Sequence, residues 1–311
     1  MNSALADLIK VARRFQELQD RVILVGGYAV FLLVDPNHQA ILRTTNDVDY
    51  VVKASSYSDY CRLSERMREL GFHECSEADN TTPIPICRWV VEGVLVDVMP
   101  SEKKALGFSN RWYPLALENP SMVEVEPGLF IFVVNPIVFL GTKFEALADR
   151  GGDDLLGDTD LEDIVTVVTY GKEVVAEFLN ADPALREYLK TQTTLLLSRK
   201  DANDLVGGCL PANSQSQALV PRVIEDFRIF TGSVITLSQE DLDLLTRSSL
   251  ISGKGGHQNY FRTLARYRSG NRQAISSDQV KQARERQLGA GTWQAAYSAI
   301  LCHFPISIDS I

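Results

Sequence analysis

The sequence predicts an α+β protein in which a short mixed β-sheet with flanking helices is followed by a helical C-terminal region. Apolar runs of strand length are concentrated in the first half of the 311 residues, whereas the second half has mostly helical periodicity. Strands and helices that are segregated along the chain are typical of this class. We therefore expect two domains, 1–180 with the sheet and 181–311 with helices, and we interpret the loose stretch Gly207–Gln217 as a linker.

The first predicted elements form a helix–strand–helix unit. Residues 2–19 have apolar side chains at spacings of three and four, which predicts an amphipathic helix. The apolar run Val22–Gly27 predicts a short buried strand that ends in two glycines, and "YAVFLLV" predicts a helix directly after it. The next strand is expected at Asp47–Lys53, and a further helix at Ser58–Leu70.

A hairpin and a long helix complete the predicted sheet domain. The pattern of Cys87–Pro100 predicts two strands joined by a turn at Glu92–Gly93, and the second strand is expected to end at Pro100. "LFIFVV" predicts another strand. Pro136–Arg150 predicts a helix with proline in its first turn, and helical patterns dominate from Asp160 onward.

Charge is distributed unevenly along the chain. The net charge is −9, but the residues from Arg247 to the end include nine Lys or Arg and only three acids. Residues 1–246 therefore carry a net charge of −15. An acidic body with a basic tail indicates two surfaces with different partners.

The composition also limits the location of the protein. No window approaches 18 uninterrupted apolar residues, so we expect no membrane-spanning helix. The five cysteines are widely spaced and form no C-x-x-C pair, which favours neither a disulfide framework nor a zinc site. A reducing cytoplasm is the simplest interpretation.

Three aspartates are candidates for a metal site. Asp47 and Asp49 are two apart at the start of a predicted strand, so their side chains project from the same face about 7 Å apart. Asp97 is an isolated acid within an apolar strand, and it can join them if the two strands pair. Oxygen-rich sites suit Mg²⁺, and three carboxylates can hold two metal ions. We therefore predict a two-metal Mg²⁺ site, for which Mn²⁺ is a substitute.

The glycine pair Gly26–Gly27 is a candidate phosphate site. Glycines at the junction of a strand and a helix let backbone N–H groups approach an anion closely, and the helix dipole favours negative charge. A phosphate cradle that faces a metal site is suited to nucleoside triphosphates. The Walker and protein-kinase motifs are absent, so these two classes are not favoured.

The stretch "VGGYAVFLLV…RTTNDVDYVV" resembles the nucleotidyltransferase superfamily, in particular the AbiEii-type nucleotidyltransferases known as toxins of bacterial toxin–antitoxin pairs. Their pattern of Arg, x, Thr, x, Asp, hydrophobic, Asp is matched by Arg43, Thr45, Asp47 and Asp49. The resemblance covers Val22–Val168. A second block of the family looks like Lys143, Arg150 and the acidic stretch "DLED" at Asp160–Asp163, although the segment before that stretch is longer and more acidic than the family pattern.

The resemblance implies a nucleotidyltransferase fold and transfer of NMP from an NTP to an acceptor hydroxyl. It implies that Asp47, Asp49 and Asp97 bind metal, that they and Lys143 carry the catalysis, and that Lys143 contacts the triphosphate. The implied nucleotide-binding residues are Gly26, Gly27, Arg43, Thr45, Lys143 and Arg150. The implied partners are an NTP, an RNA acceptor such as the 3′ end of tRNA, and an antitoxin protein.

The residues leave several alternatives open. The acceptor can instead be a small molecule such as an antibiotic, or the chain can be a degenerate copy that survives as a binding protein. Arg43 can pair with a neighbouring acid rather than with phosphate, and Lys143 and Arg150 can form a solvated basic stripe. Asp160 and Asp163 can simply cap and lead the next helix. The basic tail can contact RNA, pack into a helical core, or pair with the acidic body.

Overall fold

The computed structural model describes residues 3–76, 84–150, 154–171, 174–231, 235–237 and 306–308. It is an α+β structure that divides into two compact units, Met1–Tyr170 and Gly171–Ile311. The predicted domain boundary was ten residues further along the chain. No helix in the described ranges is long and apolar enough to cross a membrane.

A seven-stranded mixed sheet forms the centre of the first unit. Its strand order is β3-β4-β5-β2-β1-β7-β6, in which β2 lies parallel to β5 and antiparallel to β1. The strands are β1 (Val22–Val25), β2 (Asp47–Val52), β3 (His73–Glu74), β4 (Arg88–Val91), β5 (Val94–Pro100), β6 (Ser121–Glu126) and β7 (Leu129–Val133).

Helices flank this sheet. The helices of the first unit are α1 (Ser3–Phe15), α2 (Gly26–Leu33), α3 (Tyr57–Glu69), α4 (Lys103–Leu106), α5 (Tyr113–Glu118), α6 (Pro136–Arg150) and α7 (Thr159–Tyr170). The predicted bounds of α6 are confirmed, and those of α3 are correct to within one residue. The prediction of one helix over residues 2–19 is wrong at its end, because α1 gives way to a 3-10 helix at Gln16–Arg21.

An aromatic cluster of the first unit lies on the face of β2 opposite to its aspartates. Tyr50 projects from that face and is 1% exposed. The Phe15 ring of α1 lies between it and Phe72, with ring centroids 4.9 Å and 4.5 Å away. The alternation along β2 therefore buries one face in aromatic packing and directs Asp47 and Asp49 to the other.

The second unit is described as a set of helices and a two-stranded sheet. Its elements are α8 (Val174–Leu179), α9 (Pro183–Ser198), α10 (Ala202–Gly208), α11 (Ser214–Gln217), α12 (Val220–Phe230), β8 (Ile235–Leu237) and β9 (Ile306–Ile308). The core of the unit includes Leu189, Phe227 and Phe230, which are fully buried. Strands β8 and β9 are parallel.

The prediction of a linker at Gly207–Gln217 is wrong. The two glycines at its start end α10, and the following loop is held by one side chain. The Gln217 amide donates to the backbone carbonyls of Gly207, Leu210 and Pro211 at 2.9, 3.3 and 3.2 Å. Small and polar residues here form a compact turn within the second unit. The basic tail, from Arg247 to Arg286, lies outside the described residues.

Candidate active site

Pairing of β2 with β5 brings the predicted acids together. The two parallel strands place Asp49 opposite Asp97, and Asp47 opposite Leu95. Residues in register on neighbouring parallel strands project from the same face, and so do residues two apart on one strand. All three aspartates therefore lie on one face of the sheet, and the pairing that the sequence analysis required is confirmed.

Arg88 joins two of these carboxylates, and the sequence analysis did not identify it. It lies on β4 directly opposite Asp97. Its Nε donates to Asp97 Oδ1 at 2.7 Å. Its Nη2 donates to two carboxylates, to Asp97 Oδ2 at 2.7 Å and to Asp47 Oδ2 at 2.6 Å. These carboxylates raise the pKa of the Arg88 guanidinium, chiefly through the hydrogen bond to Asp97. The site is thus held together by an internal cation.

The tight turn at Glu92–Gly93 is the signal that could have found Arg88. Both turn residues have left-handed backbone angles, with φ of 50° and 76°, as a two-residue hairpin turn requires. Such a turn fixes the register of the strands it joins. Counting back from the turn places Arg88 opposite Asp97.

Gly26 brings the start of α2 against Asp49. Its φ is +63°, a conformation that favours glycine. A Cβ at this position would lie 1.9 Å from Asp49 Oδ2 and 2.7 Å from Asp49 Cβ. Only a residue without a side chain allows the backbone to lie so close to this carboxylate.

Gly27 packs against the residues that precede β2. A Cβ there would lie 2.9 Å from Thr45 Oγ1 and 3.3 Å from an Arg43 Nη2. Thr45 and Arg43 therefore line the same turn as the glycine pair. This arrangement brings together four of the residues predicted to bind nucleotide, Gly26, Gly27, Arg43 and Thr45.

The environment of Asp49 disfavours its charged form. Burial is the largest cause, the neighbouring charge of Asp47 is the second, and together with Asp97 they raise the pKa of Asp49 to about 8. Lys143 and Arg88 act in the opposite direction without cancelling the effect. In the metal-free cluster, Asp49 is therefore mostly protonated at neutral pH.

A second charge cluster links α6, α7 and the segment before β2. Lys143 Nζ lies 2.9 Å from Asp160 Oδ1 and 2.6 Å from Asp163 Oδ2. Arg43 donates to both oxygens of Asp163, at 3.0 and 2.8 Å, and Arg150 lies 2.6 Å from Asp160. Asp160 and Asp163 are each 2% exposed, so these charges are compensated inside the protein.

The contacts of this second cluster exclude helix capping by Asp160 and Asp163 and a solvated position for Lys143. Asp160 and Asp163 do not cap α7. The cap is Asp158, whose Oδ1 accepts from the backbone N–H groups of residues 160 and 161 at 2.8 and 3.1 Å. The solvated basic stripe is wrong for Lys143, whose side chain is 12% exposed, whereas Arg150 is 60% exposed. The alternative of Arg43 paired with an acid is observed.

The donor chemistry of the three aspartates fits a divalent cation. Their oxygens are the ligands that Mg²⁺ and Mn²⁺ take, and two of the carboxylates already share the positive charge of Arg88. In the arrangement described, no group of three or more acidic, histidine or cysteine side chains within the described ranges is positioned to hold a metal ion. Metal binding at this cluster would therefore require the side chains to rearrange. The Arg88 guanidinium would have to leave the Asp47 and Asp97 oxygens to which it donates.

No protein-family model matches this chain, and no characterised protein matches it in sequence.

Proposed function

We propose that this protein is a metal-dependent nucleotidyltransferase with the nucleotidyltransferase fold, which transfers NMP from an NTP to an acceptor hydroxyl and releases pyrophosphate. The observation that carries the proposal is the position of Asp49. It lies in register with Asp97 on the neighbouring strand, and its carboxylate lies against Gly26 at the start of α2. Acids that can bind cations and backbone N–H groups that can bind phosphate are thus adjacent.

The aspartates have separate roles in this proposal. Asp47 and Asp49 would hold the Mg²⁺ ion that accompanies the NTP, and Asp97 would complete the binding site of a second metal ion. When bound, the metal neutralises the charge that develops on the phosphates during transfer. The pKa of Asp49 is raised first by burial and then by repulsion from Asp47, and a bound cation would favour the charged form against both causes.

The transfer itself exchanges one bond for another at the α-phosphorus. The acceptor oxygen forms a bond to phosphorus while the bond from phosphorus to the bridging oxygen of the leaving pyrophosphate breaks. In this proposal Asp97 accepts the proton of the acceptor hydroxyl, since Asp47 and Asp49 are assigned to the metal that binds the NTP. The backbone N–H groups of Gly26 and Gly27 orient the leaving phosphates.

The second charge cluster supports the phosphate side of the site. Arg43 is fixed by two hydrogen bonds to Asp163 and lies against Gly27. Lys143 lies close enough to Asp49 to lower its pKa. We propose that these two cations provide a positive potential for the triphosphate while they remain paired with the acids of α7.

We propose RNA, in particular the 3′ end of tRNA, as the acceptor, and an antitoxin protein as a regulatory partner. This part of the proposal is supported by the family resemblance and by the nine Lys or Arg from Arg247 onward. It predicts a cytoplasmic protein. A small-molecule acceptor is the competing outcome of the experiment that follows.

The proposal is tested by incubation of the protein with Mg²⁺, each α-labelled NTP in turn, and total RNA. We expect label in RNA with the wild-type protein and none with Asp49→Asn. Label that appears only when a small hydroxylated molecule replaces RNA would change the acceptor but keep the reaction. Labelling that is equal in the wild type and the variant would contradict the proposed site.

A further inference from the structure

We infer that Arg88 is a built-in counter-cation that competes with a divalent metal ion for Asp47 and Asp97. The inference deepens the proposed function, and it rests on that function for the identity of the cation that enters. Arg88 then sets the metal concentration at which the site assembles. No part of the sequence pattern assigned a role to this residue.

Arginine and a divalent metal ion need the same carboxylate oxygens. Arg88 donates hydrogen bonds to both oxygens of Asp97, and its Nη2 also donates to Asp47 Oδ2. A metal ion that bridges these carboxylates must coordinate at least one of the oxygens that Arg88 now occupies. Two positive charges this close would also repel each other in a half-buried site. Coordination of the metal and the present position of Arg88 therefore exclude each other.

Arg88 can move away from the carboxylates without unfolding the site. Its side chain is 23% exposed, whereas that of Asp97 is 12% exposed. The guanidinium is carried by a flexible stem from the edge of the acidic face, so a rotamer change can move it into solvent. The backbones that carry the aspartates stay paired in β2 and β5, so only side chains have to move when Arg88 leaves and a metal ion enters.

The three aspartates need a neighbouring cation when no metal ion is bound. Three carboxylates on one face repel one another, and this repulsion already contributes to the raised pKa of Asp49. Arg88 shares its single positive charge between two of them through charge-assisted hydrogen bonds. The arginine thus stabilises the metal-free protein and, for the same reason, weakens its affinity for metal.

The experiment measures the affinity of the full-length, metal-free protein for Mn²⁺ by isothermal titration calorimetry. Arg88→Gln keeps a hydrogen-bonding side chain and removes the charge. We expect it to bind Mn²⁺ at least about tenfold more tightly than the wild type, because hydrogen bonds to charged groups no longer have to be broken. Arg88→Lys keeps the charge but cannot form the fork, and we expect an intermediate affinity.

Arg68→Gln is the matched control. Arg68 lies on α3, 5.7 Å from the ring centre of Trp89, and pairs with Glu74 rather than with the candidate site. The control removes the same amount of charge from a nearby position. If Arg88→Gln binds Mn²⁺ no more tightly than Arg68→Gln, the inference is wrong.

A second measurement covers the case in which Arg88→Gln does not fold. The Nε–H resonance of Arg88 in the wild-type protein is followed by NMR during titration with Mg²⁺. We expect the resonance to shift and to exchange faster with solvent at saturation, and an unchanged resonance would overturn the inference. Both experiments omit nucleotide and acceptor. Failure to detect transfer activity would therefore count against the proposed function alone.

Discussion

Replacement of Gly26 by alanine tests how closely α2 approaches Asp49. Two costs add at this position. Alanine at a φ of +63° costs about 1–2 kcal/mol, because its Cβ crowds the following carbonyl. The new Cβ would also lie 1.9, 2.6 and 2.7 Å from Oδ2, Cγ and Cβ of Asp49. Rotation of the carboxylate cannot relieve the last of these distances, because the Asp49 Cβ is fixed to β2.

Overpacking of this kind costs about 1–3 kcal/mol, so we expect Gly26→Ala to lower the free energy of unfolding by about 2–5 kcal/mol. The assay is urea denaturation followed by tryptophan fluorescence, since Trp89 and Trp112 lie in the first unit. Gly128→Ala is the matched control. Gly128 has a φ of +82°, and an added Cβ there would meet nothing within 4 Å, so only the backbone cost applies.

A double-mutant cycle isolates the contact with Asp49. Asp49→Ala removes the two atoms with the shortest distances, Oδ2 and Cγ. We expect Gly26→Ala to cost at least about 1 kcal/mol less in the Asp49→Ala background than in the wild type. The reasoning is refuted if Gly26→Ala costs no more than Gly128→Ala, or if the cycle shows no coupling.

Two further predictions concern buried charge. Because the pKa of Asp49 is raised to about 8 in the folded protein, its favourable contribution is complete only below the unfolded pKa of 3.8 and is lost as pH rises toward 8. Metal-free Asp49→Asn should therefore gain stability relative to the wild type between pH 5 and pH 8, and a constant difference in thermal unfolding would contradict this. Lys143→Ala leaves Asp160 and Asp163 short of a buried partner and should cost about 3–5 kcal/mol in urea denaturation, against at most about 1 kcal/mol for the exposed pair removed by Lys10→Ala. Equal losses in the two lysine variants would show that the cluster is not electrostatically coupled.

Local patterns made much of the sheet and of the acidic face predictable. The glycine pair after an apolar run indicated the junction of β1 and α2, and the two-residue spacing placed Asp47 and Asp49 on one face. Asp97 was predictable because an isolated acid interrupts an apolar strand. These signals involve neighbours in sequence, for which backbone periodicity alone decides the outcome.

Interactions between distant segments were not predictable in the same way. Arg43 and Asp163 are 120 residues apart, and nothing in either local sequence specifies their hydrogen bonds. The edge strand β6 was missed because most of its residues are exposed or half-buried, so it lacks a clear apolar pattern. The alternative in which Asp160 and Asp163 cap α7 could not be decided from sequence, because four aspartates and glutamates lie close together and only the backbone geometry selects Asp158.

The central claim is that the acids on this face catalyse transfer of NMP with release of pyrophosphate. The most direct measurement follows one NTP with label on its α-phosphate and another with label on its γ-phosphate, each in the presence of Mg²⁺ and the acceptor. We predict one pyrophosphate released for each nucleotide transferred by the wild type, and neither product from Asp49→Asn. Glu69→Gln, which removes an exposed carboxylate from α3, should match the wild type. Loss of activity in Glu69→Gln alone, or release of inorganic phosphate without transfer of the α-label, would contradict the account.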